Sequence, residues 1–164
     1  MPGEGGNAKG LKHRIRPPLN DDEYLPGEIE KAVFLYDTPY NIIPSLFRQR
    51  IAWGHAIAIT GECPKGDENL DGFIAEGKDS FGFSTQFNNW TDLQIQRSYP
   101  RMIVRASLLW SYLPEVLTFL GVPESQWKYF PQKKQRFSSF DALQEHQKAG
   151  IKRIYGELHD AMGL

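Results

Sequence analysis

The first 27 residues carry five Gly and four Pro among only scattered apolar side chains, and this decides where a packed fold can begin. Such a stretch buries too little apolar surface to offset the entropy lost on ordering it. Lys9, Lys12, Arg14 and Arg16 make its first half basic, and Asp21, Asp22 and Glu23 make its second half acidic. Residues 1–27 are therefore expected to form an irregular N-terminal arm, flexible alone or bound to a partner. Residues 28–164 are expected to form one globular domain, a length sufficient for a core without disulfides.

Within that domain, residues 28–36 are apolar toward their end and too short for periodicity to separate helix from strand. Asp37-Thr38-Pro39 signals a turn, and a helix is expected over about 42–54, with Pro44 in its first turn and Gly54 at its end. His55–Thr60 alternates with period two and reads as a strand; residues 61–72, rich in Gly and acids, read as a loop. Phe73–Glu76 and Phe81–Phe87 read as a hairpin turning at Gly77-Lys78-Asp79.

The second half reads as helical. Ser98 and Pro100 suit the start of a helix running to about Leu113, with Ile103, Ala106, Trp110 and Leu113 on one face. Pro114–Leu120, ended by Gly121, and Pro123–Phe130 are short helices, and residues 131–137 are a basic linker. Ser139 is expected to cap a last helix reaching Met162, with Gly150 as a break. The resulting fold class is α+β, with a small antiparallel sheet at about residues 55–87 packed against a helical C-terminal half.

The formal net charge is −1, so no global field steers the chain to nucleic acid or membrane. The halves differ: residues 1–90 hold nine cationic against thirteen acidic side chains, and residues 91–164 ten against seven. Cys63 is the single cysteine, and residues 1–10 lack an apolar stretch. No intrachain disulfide, signal peptide or membrane span is expected, and the cytoplasm, or the inside of a large intracellular or viral assembly, is the expected location. Without secretion the Asn89-Trp90-Thr91 sequon carries no glycan.

Three chemistries compete. Asp71, Glu76 and Lys78, with Asp67 as an earlier acid, supply carboxylates for a divalent cation and an amine to position water. This string resembles the active-site motif of the restriction-endonuclease-like superfamily, which implies a metal-dependent nuclease; the alternative is a solvated hairpin turn. Cys63 and His55 would make a nucleophile and base only if the fold joined them. The histidines show no ligand spacing, so neither a metal site nor a cofactor is expected.

Arg97, Arg101 and Arg105 recur every fourth residue, and Trp127, Lys128, Lys133, Lys134 and Arg136 interleave cations with rings. Cations plus stackable rings suit phosphates and unpaired bases; the alternative is a solvated face whose rings turn inward. Aromatic residues are 13% of the chain, serving core or interfaces. The leading expectation is a non-enzymatic structural or interaction component of a larger assembly, contacting other chains, a second copy among them, through the arm. A nucleic-acid-binding accessory protein comes next, and a metal-dependent nuclease third.

Overall fold

A computed structural model describes residues 14–19, 28–133 and 139–163. Among them are seven α-helices and one two-stranded sheet. Strand β1 is Ala32–Tyr36 and β2 is Arg101–Arg105. They pair in parallel, with Ala32 opposite Arg101 and Tyr36 opposite Arg105. The expected antiparallel sheet at 55–87 is thus overturned: that region is helical, and the sheet is parallel and joins distant parts of the chain.

Four helices separate the strands: α1 (Pro39–Gln49), α2 (Ala52–Thr60), α3 (Leu70–Glu76) and α4 (Phe83–Thr91). Thr38 opens α1 by accepting from Tyr40 N–H, and Pro39 takes the first position, so the helix starts and ends earlier than expected. Pro44 lies inside α1 and Gly54 inside α2. The strand expected at His55–Thr60 is helical because a second period runs through it. Ala52, Ala56 and Ile59 are buried at helical spacing, while Ile57 is exposed.

The hairpin expected at Phe73–Phe87 is two capped helices. Asn69 Oδ1 accepts from Gly72 N–H at 2.7 Å and starts α3. Gly77, at φ +67°, closes it in the left-handed region that favours glycine. Asp79 then accepts from the N–H groups of Phe83 and Ser84 at 3.2 and 2.8 Å and anchors the start of α4.

The helix expected from Ser98 to Leu113 is instead β2 followed by a 3₁₀ turn at Ala106–Leu108. Pro100 biases Tyr99 toward extended backbone, and Ile103 and Val104 favour a strand once β1 is beside them. Helices α5 (Leu113–Leu120) and α6 (Glu124–Trp127) fall where expected. The last helix, α7 (Glu145–Ala161), begins six residues after Ser139, with a reciprocal Gln144–Gln147 cap. Gly150 does not break α7. It is buried where α3 crosses, and a Cβ there would overlap the Ile74 side chain.

The main core lies between α1, α2, α3, α7 and the start of α4, around Phe73, Phe81, Phe83, Ile151 and Tyr155. Phe81 packs 5.2 Å from both Phe73 and Phe83. Each face of the sheet carries a small cluster: Ala32, Trp90 and Tyr99 on one, Val104, Leu109 and Val116 on the other. Among the described residues no helix is long and apolar enough to cross a membrane.

Candidate functional site

A cavity of about 630 Å³ opens beside β1. The strand contributes Val33–Tyr36, with Asp37 at its C-terminal end; α1 contributes Asn41, Ile42, Ser45 and Leu46, and α4 Phe83, Gln86, Phe87 and Trp90. Arg14, His55, Ala106 and Met162 complete the lining. Phe34 stacks on Trp90 at 5.0 Å and 11°, and Tyr36 meets Phe87 edge-on at 5.2 Å. Sequence reasoning missed this site because it read residues 28–36 as undecided. The pattern Ala-Val-Phe-Leu-Tyr followed by Asp-Thr-Pro is compatible with a strand ending on a helix cap, but only Ala32 of that strand is buried, and no local signal marks the cavity walls.

Asp37 is buried in this wall. Its carboxylate accepts from Thr38 N–H at 2.8 Å and from the Asn41 amide at 3.0 Å. Beyond it, Thr38 Oγ1 lies 2.8 Å from His159 Nδ1. Tyr40 is sandwiched between His159 and Phe140 at 4.1 and 4.6 Å, and its phenol pKa is raised by burial and by Asp160.

The described part of the arm borders the same cavity. Arg14 C=O accepts from Gln86 Nε2 and Trp90 Nε1, both at 2.9 Å, and Ile15 C=O accepts from Asn89 Nδ2 at 3.1 Å. Pro17 and Pro18 are buried. Arg97 Nε donates to their carbonyls at 2.8 and 3.1 Å, and the Tyr99 hydroxyl donates to Pro18 C=O at 2.6 Å. Residues 14–19 thus lie on their own domain, which removes the support that a partner-bound arm would lend to assembly.

Asp67, Asp71, Glu76 and Lys78 do not form one centre. Asp67 sits in the exposed loop before α3. Asp71 and Glu76 are five residues apart on α3, about 140° around the axis at 3.6 residues per turn. Asp71 turns to α7, accepting from Gln147 at 3.0 Å and lying 3.1 Å from His146 Nε2. The Gln147 and His146 hydrogen bonds hold its pKa below the usual carboxylate value. Glu76 lies 3.5 Å from Lys78 Nζ and accepts from Ser80. No cluster of three or more His, Cys, Asp or Glu fit to hold a metal occurs among the described residues. Cys63 is exposed in the loop after α2, and His55 lines the cavity.

The arginines are not on a helix. Arg97 precedes β2, while Arg101 and Arg105 sit on it. Arg101 donates to the carbonyls of Trp90, Asp92 and Ile95, and Arg97 to the arm and Gln96. Arg105 Nε is buried without a hydrogen-bond partner among the described residues. Trp127 donates to Val122 C=O at 2.9 Å, Lys128 lies over the Tyr129 ring at 5.0 Å, and Lys133 is exposed. Lys134 and Arg136 lie outside the described residues. No protein-family model matches the chain, and neither the curated proteins nor the solved structures contain a match.

Proposed function

We propose that the chain is a non-enzymatic structural or interaction component that associates with other protein chains through its sheet half. The carrying observation is where apolar side chains meet solvent. Of ten exposed large hydrophobic residues among those described, six (Leu35, Ile103, Leu108, Tyr112, Leu120 and Tyr129) belong to the strands or to the segment after β2. Within a region of such thin cores, that exposure is what an interface provides for. Each strand also has a single neighbour among the described residues, and open edges are templates for pairing. A second copy of the chain is the partner we propose, joined through a self-complementary contact at β2. We place it in the cytoplasm or within a large intracellular or viral assembly.

The test is solution mass across a wide concentration range. The unaltered chain should form dimers, and Ile103→Lys with Leu108→Lys should return it to a monomer with unchanged helix content. A monomer at every concentration would end this reading. Nucleic-acid contact is a second proposal, supported by exposed Tyr129 and the Lys128 cation over its ring. Binding of single strands, falling steeply with salt and weakened by Lys128→Glu, would support it.

A further inference from the structure

The cavity touches five consecutive residues, Val33 through Asp37. Strand side chains alternate between faces, so a space reaching all five runs along the edge of β1. Ala32 N–H donates to Pro100 C=O at 3.1 Å, toward β2. In this parallel register the main-chain groups of Ala32, Phe34 and Tyr36 point at β2, and those of Val33 and Leu35 point away. Among the described residues, the outward N–H and C=O groups of Val33 and Leu35 have no hydrogen-bond partner. Val33 C=O and Leu35 N–H therefore stand side by side, an acceptor next to a donor.

We propose that this cavity binds a planar nitrogen heteroaromatic of the nucleobase class. Its donor–acceptor edge lies on Val33 C=O and Leu35 N–H, and its ring packs against the aromatic wall of Phe34, Phe87 and Trp90. The cavity volume of about 630 Å³ falls within the roughly 300–1,000 Å³ of small-molecule sites. Rings beside a flat ligand supply stacking, and a buried donor or acceptor left unmade is costly. The free edge offers four groups, the N–H and C=O of Val33 and of Leu35, and the central Val33 C=O and Leu35 N–H step between ring-lined walls matches the footprint of one flat ring; so short a run holds little of an added strand. This inference does not depend on the association proposed above.

Adenine is the probe, because its exocyclic amine and N1 present an adjacent donor and acceptor. The full chain is titrated with adenine and with 6-dimethylaminopurine, whose donor is blocked, following heat and tryptophan fluorescence. Saturable adenine binding is expected, about tenfold weaker for the blocked purine, the cost of one unmade hydrogen bond. Ser45→Trp fills the cavity and should abolish binding, whereas Leu35→Pro removes one donor that lies outside the strand ladder and should weaken binding about tenfold, both at unchanged helix content. Absence of saturable adenine binding, equal binding of both purines, or binding that survives Ser45→Trp overturns the proposal. So does saturation by an extended apolar peptide without a response to adenine. Should the variants not fold, amide shifts of the unaltered chain decide: perturbation confined to Val33–Asp37 and α4 supports the site, and perturbation elsewhere overturns it.

Discussion

Around Phe73 and Phe81, helices α1–α4 and α7 enclose a cluster of twelve buried residues, whereas the sheet lies between two clusters of three. Both halves are rich in aromatic and branched side chains, so hydrophobicity alone does not separate them. The difference is geometric. Several helices can surround one centre and bury every ring that faces it. A two-stranded sheet has two faces and two edges, and among the described residues each face is backed by a cluster of only three buried side chains. The helical half therefore encloses its own core, and the sheet half leaves Leu35, Ile103 and Leu108 exposed.

The contrast should be sharpest in truncations. Phe81→Ala removes a fully buried ring from the large core and should cost about 3–5 kcal/mol. Leu109→Ala, in one of the small clusters, should lie near the bottom of the range for such changes, about 2 kcal/mol. Denaturant midpoints measure both, and equal losses would break the comparison.

A smaller effect separates two glycines of α7. Gly150→Ala pushes a methyl into Ile74 and should destabilise by about 1–3 kcal/mol. Gly156→Ala meets nothing within 4 Å and should stabilise by roughly 0.5–1 kcal/mol, through helix propensity. Thermal unfolding of the two variants shows whether tight packing is confined to the α3 crossing.

The smallest effect concerns Tyr155, whose hydroxyl donates to Asp79 at 2.7 Å. Burial foremost, then the Asp79 charge and hydrogen bond, raise its pKa well above 10.0. A raised pKa contributes stability that is complete below the unfolded value, near 10, and is lost as pH climbs toward the folded one. Tyr155→Phe should cost about 0.5–1.5 kcal/mol at neutral pH. It should also flatten the fall in stability above pH 10, read from urea midpoints measured across alkaline pH.

These particulars also explain what could be read in advance. Helices α5, α6 and α7 were legible because proline, Gly121 and long apolar periods mark them. The strands were not. Ala32–Tyr36 and Arg101–Arg105 are strands because each supplies the other's hydrogen bonds, and a local window contains only one of the two. The false hairpin arose from Gly77 and Asp79, which serve equally as turn residues and as the end of one helix and the cap of the next. The arginine triplet was legible as spacing, but its periodicity of four fits a strand's alternation as well as a helix's turn. The cavity beside β1 was unreadable for the same reason as the sheet, since its walls meet only after α1 and α4 fold back.

The parallel pairing of β1 and β2 has a consequence for the order of folding events. Sixty-four residues separate Tyr36 from Arg101, so closing the pair unaided means confining a long loop before any ladder bond compensates. Within that loop α1 packs on α2, and α1 and α3 pack on α7 from beyond β2, so helix packing is expected to shorten the effective tether. The sheet is then expected to be the final join, made once the packed helices present the two strands together. Hydrogen exchange during refolding should protect the amides of α2 and α4 before those of Phe34 and Val104, and newly made chains should hold the strand edges open longest.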